Sequence, residues 1–168
     1  MTYRILSLDG GGIRGIISAV ILAEVERILN QPLNQYFDLI AGTSTGSILA
    51  SAIATGRKSQ EIIRLYQEKG ARIFPYQGGW GLAQWGWKGR LIDVLFDASS
   101  DIHDYITRQI LSSQDLDNPN FQRYIRLQPD IMNFEIDNAS PENIANLTMF
   151  AQDYIAENQQ RLKYFLTL

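Results

Sequence analysis

Two glycine-bearing loops hold the residues of this chain that could do chemistry. The first to consider is Gly42-Thr43-Ser44-Thr45-Gly46, which lies between the apolar runs FDLI and ILASAIA. A serine on a sharp strand-to-helix turn has its hydroxyl displayed for attack. Glycines two residues away on either side, here Gly42 and Gly46, relieve the crowding where strand and helix meet. A serine hydroxyl is a weak nucleophile and needs a base beside it. The plainer role for Ser44 is a helix N-cap, which serine also fills well.

The other loop is Gly10-Gly11-Gly12-Ile13-Arg14-Gly15, directly after the run YRILSL. Its spacing is that of a dinucleotide fingerprint, in which glycines let a pyrophosphate approach a helix N-terminus. A nucleotide site also places an acid at the end of the second strand. Here the nearest acid, Asp38, stands near the start of that strand, and Gly42-Thr43-Ser44 occupy its end. The alternative use is an oxyanion hole. The backbone N–H groups of Gly10, Gly11 and Gly12 would hold the charge of a tetrahedral intermediate, and a side chain there would block the acyl group. Arg14 either steadies the loop or meets a substrate phosphate, or is an ordinary surface arginine; Gly15 closes the loop as part of its support.

These loops need elements to carry them. Residues 3–8 and 37–42 are short apolar runs and are expected to be strands. From Ile13 the apolar residues recur every three or four positions through Leu29, a helix that Asn30 and Pro32 should end. A second helix is expected from about Ser44 to Thr55, with Gly56 at the position after the C-cap. A third is expected over about 59–71, opening on Ser59 with Glu61 in its first turn. Residues 75–90, PYQGGWGLAQWGWKGR, hold five glycines and all three tryptophans, and read as a loop with aromatic anchors or as a junction between two once-separate pieces. Residues 91–113 have helical character with a break near 98–100, and residues 121–128 that of a strand. Ser140-Pro141-Glu142 is a helix start, with a serine cap, a proline at the first position and an acid in the first turn; that helix should run to about Glu157, with an extension towards 166. The order strand, loop, helix, strand, elbow, helix is an α/β pattern with parallel strands. Both loops then fall on one edge of the sheet, where open α/β sheets hold their sites.

The bulk composition narrows the function. With 168 residues and 45% hydrophobic content the chain can bury a core as one domain. A formal net charge of −3 gives no basic surplus for nucleic acid or anionic lipid. The absence of cysteine excludes disulfides and thiolate chemistry, and a single histidine, His103, makes a multi-histidine metal site untenable. No signal core opens the chain and no apolar run reaches the ~18 residues of a membrane helix, so a cytoplasmic protein is expected.

DGGGIRG followed by GTSTG resembles the N-terminal half of the patatin-like phospholipase domain, over roughly residues 3–75. The resemblance implies a three-layer α/β/α fold and hydrolysis of lipid or phospholipid esters, with transient contact at membrane surfaces and no metal or cofactor. It makes Ser44 the nucleophile, Gly10–Gly12 the oxyanion hole and Arg14 the family's loop arginine. It also implies a serine–aspartate dyad, whose aspartate lies in a later Asp-Gly-Gly or Asp-Gly-Ala motif. The one Asp-Gly pair here is Asp9-Gly10, in the first loop; none of Asp93, Asp97, Asp101, Asp104, Asp115, Asp117, Asp130, Asp137 or Asp153 precedes a glycine.

Residues from about 80 to 168, with WKGRLIDVLFDASSDIHDY, YIRLQP and DNASPENIANL, resemble the family's C-terminal portion. Residues 1–76 and 80–168 are thus expected to form a single domain that has lost its central strands and its aspartate, with the join near 77–87. The sheet is expected to be incomplete and mostly parallel, with exposed edges that favour marginal stability, association or aggregation. Three readings follow: an impaired lipid acyl hydrolase, a non-catalytic remnant or lipid-binding module, and a nucleotide-binding α/β domain. Substitute bases for Ser44 would be His103 with Asp101 or Asp104, or Asp93 and Asp97 on one helical face.

Overall fold

The computed structural model describes residues 3–74, 104–109, 124–130 and 138–167. The chain divides into two units, Met1–Tyr76 with Pro129–Leu168, and Gln77–Gln128. In the first unit β1 (Ile5–Leu8) leads through a 3-10 turn (Gly12–Arg14) into α1 (Gly15–Leu29). A single-turn helix α2 (Leu33–Tyr36) and β2 (Leu39–Gly42) follow, then α3 (Thr45–Ala54), α4 (Ser59–Ile73) and α5 (Pro141–Leu166).

β1 and β2 pair in parallel, with Ile5 opposite Leu39, Leu6 opposite Ile40, Ser7 opposite Ala41 and Leu8 opposite Gly42. This α/β order is the expected one, with strands shorter than the apolar runs that contain them. Leu6, Leu8 and Ile40 are turned inward, whereas Ile5 and Leu39 are 59% and 46% exposed on the opposite face. Parallel strands are ordinarily covered on both faces; among the described residues the sheet has two strands, and Ile5 and Leu39 stand exposed on one of its faces. Asp38 serves the sheet and not a ligand: its carboxylate accepts from the Arg4 N–H at 2.7 Å while its own N–H donates to the Arg4 carbonyl at 2.9 Å.

The core lies along α1, where Ile16, Ile17, Ala19, Val20, Ile21, Leu22 and Val25 are buried against α4 and α5. Asn30 ends the helix in the left-handed region at φ 51°, a conformation asparagine tolerates. Gly56 after α3 sits at φ 83°, as a glycine following a helix should. On α4, Ile62, Ile63, Tyr66 and Gly70 form the buried stripe, and the bare Gly70 lets the Ile144 and Ile13 side chains come close. α5 starts as expected, with Ser140 Oγ accepting from the Asn143 N–H at 3.2 Å and Pro141 in the first turn. It continues to Leu166, where the terminal carbonyl accepts from the Tyr36 hydroxyl at 3.4 Å.

α4 opens on Ser59 as expected, with Glu61 in its first turn; Lys58 holds the cap position, and the Ser59 N–H donates to the Glu26 carboxylate of α1 at 2.8 Å. A carboxylate at a helix start satisfies an orphan donor and suits the dipole better than a hydroxyl does. Of the strand expected over 121–128, the described residues 124–128 form no strand and pair with none among the described residues. In the second unit residues 104–109 are helical. The glycine–tryptophan segment 75–90, the break near 98–100 and the proposed join lie outside the described residues.

Candidate active site

Because β1 and β2 run parallel and in register, the chain leaves both at the same edge of the sheet. Leu8 and Gly42, the paired last residues, release the glycine loop and the serine turn side by side. The Thr43 N–H donates to the Leu8 carbonyl at 3.1 Å and carries the ladder one step past the strands.

The serine turn is tight because its glycines are. A Cβ on Gly42 would overlap the Gly46 backbone, and one on Gly46 would stand 2.6 Å from the Asp9 carbonyl oxygen. Between them Ser44 adopts φ 50°, ψ −127°, a conformation that L-residues avoid. Such strain costs on the order of 1–3 kcal/mol and persists where the surrounding structure over-determines it. Ser44 occupies the cap position of α3, but its side chain makes no capping hydrogen bond, which removes the plainer reading of this residue. Ser44 is exposed, and its hydroxyl makes no hydrogen bond among the described residues. Its carbonyl is held twice, by the Ser47 N–H at 2.9 Å and the Ser47 hydroxyl at 2.5 Å.

The glycine loop lies against this turn. A Cβ on Gly10 would stand 2.6 Å from Ser44 Cβ and 3.4 Å from Ser44 Oγ. Gly10 is therefore the point of closest approach between the loops, and only a bare backbone fits. Gly12 takes φ 58° as the 3-10 turn starts. The Gly11 N–H is engaged, donating to Thr45 Oγ1 at 3.2 Å in a buried bond. The Gly10 and Gly12 N–H groups have no acceptor among the described residues. In the first turn of α3 the Gly46 N–H goes to Thr43 and the Ser47 N–H to Ser44, which leaves the Thr45 N–H as a further orphan donor. Sequence reasoning overlooked Thr45; the signal was there, since the residue after such a serine ordinarily lends its N–H to the oxyanion. With Gly11 turned to Thr45, the loop does not aim all its amides at one phosphate, as a dinucleotide loop would.

Arg14 lies in the last position of the 3-10 turn, with its Nε buried. Gly15 opens α1 against Tyr66, whose hydroxyl oxygen would be 2.5 Å from a Cβ there. Tyr66 is 4% exposed, and burial pushes its phenol up to about 12. In the second unit Asp104 is bound to Arg108 at 2.9 Å, which holds its carboxyl below the usual range, with help from Tyr124. An acid held so low is a weak proton acceptor. His103, Asp93, Asp97 and Asp101 lie outside the described residues. Among the described residues no cluster of histidine, aspartate and glutamate could hold a metal ion, and no helix is long and apolar enough to cross a membrane.

A parallel α/β edge carrying a glycine loop and a strained serine turn is the frame on which α/β hydrolases display a serine. The chain belongs to the patatin-like phospholipase family, whose model matches residues 6–158. It is 47% identical over 73 residues to a cGAMP-activated phospholipase of Pseudomonas aeruginosa, covering 44% of this chain and 22% of that protein. It is 43% identical over 81 residues to a cGAMP-activated phospholipase of Vibrio cholerae, covering 44% and 23%. To Patatin-2-Kuras 2 of Solanum tuberosum it is 37% identical over 128 residues, covering 67% of this chain and 33% of the potato protein. The chain thus spans a third or less of the length of these relatives. No solved structure matches it.

Proposed function

We propose that this chain carries the nucleophile and oxyanion side of a lipid acyl hydrolase, and that its turnover is impaired. The observation that carries the reading is Ser44. It is a non-glycine residue held at φ 50°, exposed, uncapped and pressed against Gly10. Strain of this kind stabilises nothing in the fold, and it sets a hydroxyl beside orphan backbone donors. Ser44 Oγ attacks the ester carbonyl, its proton passes to a base, and the carbonyl oxygen takes the negative charge. The Gly10, Gly12 and Thr45 N–H groups receive that charge. Collapse expels the alcohol and leaves an acyl-serine that water hydrolyses. The family's base, an aspartate followed by glycine, has no counterpart after Ser44 in this sequence.

An internal loss accounts for the missing aspartate. The potato match, 128 positions taking in 67% of this chain, is too long to stay within residues 1–76 or 80–168 and so crosses 77–87. A match that crosses the expected join gives no support to a loss at that place. The substrate is a lipid or phospholipid ester met by transient contact with a membrane surface, in the cytoplasm, with no nucleic-acid partner. The names of the bacterial relatives add nucleotide activation as a property to test, by thermal shift with cyclic GMP-AMP.

The deciding experiment is covalent labelling by a fluorophosphonate, read by intact mass, with Ser44→Ala as control. One adduct that vanishes in the variant supports an activated Ser44. No adduct on a folded chain favours the non-catalytic remnant or lipid-binding module instead.

A further inference from the structure

We infer that Thr45 is a positioning residue. Its hydroxyl is the latch that fixes the glycine loop on the serine turn and selects which loop amides face a developing oxyanion. The inference rests on the reading of Ser44 as nucleophile for its catalytic consequence, but not for the latch itself.

Thr45 Oγ1 accepts the Gly11 N–H at 3.2 Å across 34 residues of sequence, with the bond buried and Thr45 only 5% exposed. A buried backbone N–H must find an acceptor, and losing it leaves the full cost of desolvation. The bond therefore holds the middle glycine of the loop in one orientation. Gly12, next along, is already turned to φ 58°, and Gly10 before it is wedged against Ser44. With Gly11 drawn towards α3, the amides that remain are those of Gly10 and Gly12, on either side of the bonded one. Oxyanion donors work by being preorganised, so that no reorientation is needed as charge develops. The latch supplies that order from the residue next to the nucleophile. One side chain thus sets both partners: Thr45 brings its own N–H to the site and aligns the loop opposite.

Thr45→Val keeps the branched shape and removes the acceptor; Thr45→Ser keeps the acceptor. The test combines amide hydrogen exchange of Gly11 in the full chain with the kinetics of fluorophosphonate labelling. In Thr45→Val the Gly11 amide should exchange about tenfold faster while the α1 core amides are unchanged. Its labelling rate constant at saturating probe should fall about tenfold, with the apparent affinity for the probe held. Thr45→Ser should restore both. Equal Gly11 exchange in wild type and Thr45→Val overturns the latch; where the wild type labels, labelling of Thr45→Val at the wild-type rate overturns its role in positioning the oxyanion donors. If the wild type does not label, yet Gly11 is protected there and released in Thr45→Val, the latch is upheld and the reading of Ser44 is overturned. Should Thr45→Val fail to fold, rapid exchange of Gly11 in the wild type is sufficient to overturn the latch, and protection retained in Thr45→Ser supports it.

Discussion

The two corners that leave the sheet solve one geometric problem in opposite ways. After β1 the chain turns through three glycines and a 3-10 turn, with the positive φ placed on Gly12, where it costs little. After β2 it turns within three residues, with the positive φ placed on Ser44, which bears a side chain. The first corner gives up side chains and leaves its backbone bare. The second accepts a positive φ on a residue that carries a side chain. Neither corner is complete without the other, because Gly10 fills the space beside Ser44 and Thr45 holds Gly11.

The largest expected effect comes from closing the second corner's clearance. Gly42→Ala and Gly46→Ala should each cost about 3 kcal/mol or more, because the new Cβ meets backbone that cannot yield; urea unfolding checks this. If either variant were near wild-type stability, the turn would be looser than described. Next, Gly10→Ala should lower fluorophosphonate labelling by roughly a hundredfold, with a smaller stability loss of about 1–3 kcal/mol, since its Cβ meets Ser44 Cβ at 2.6 Å. Equal labelling would separate the loop from the serine.

The buried phenol beside Gly15 gives a test of the first corner's footing. Its folded value of about 12 lies above the ordinary value of 10, so folding favours the protonated form. The stability it contributes is fully present below about pH 10 and is lost as pH rises from there to about 12, reaching on the order of 2–3 kcal/mol. Tyr66→Phe should remove that alkaline loss, as read by denaturant unfolding at pH 8 and pH 11.5. An identical alkaline loss in the variant would place the phenol in solvent. The smallest effect is on the strain itself. Ser44→Gly should abolish labelling yet leave the fold unchanged or about 1 kcal/mol more stable, because glycine occupies that conformation without a Cβ penalty. A clear loss of stability would mean that Ser44 is structural.

Much of this frame was legible in the sequence because it rests on local chemistry. Apolar spacing from Ile13 to Leu29 predicted α1, Asn30 predicted its end, and Ser140-Pro141 predicted the start of α5. Gly56 was placed correctly because a left-handed residue after a helix is a local requirement. Distant partners were harder. Ser59 opens α4 where the sequence put it, yet its N–H is met by Glu26 on another helix, and no local pattern encodes a partner 33 residues away. The candidate site divides in the same way. Ser44 and Gly10 were visible from their motifs, whereas the bond between Gly11 and Thr45 was not.

By itself the sequence determined the residue types at the two corners, the helical face of α1 and the family to which the chain belongs. Those follow from short-range sterics, from capping and from periodicity, all of which act within a few residues. The tertiary structure alone decided that Ser44 bears strain and does not cap its helix, and that Gly11 is spent on Thr45. It also decided that Tyr66 is buried against Gly15 and that Ile5 and Leu39 stand exposed on one face of the strand pair. Each of these depends on groups far apart in sequence being brought within hydrogen-bond or van der Waals range, and parallel pairing of β1 with β2 is what brings them there.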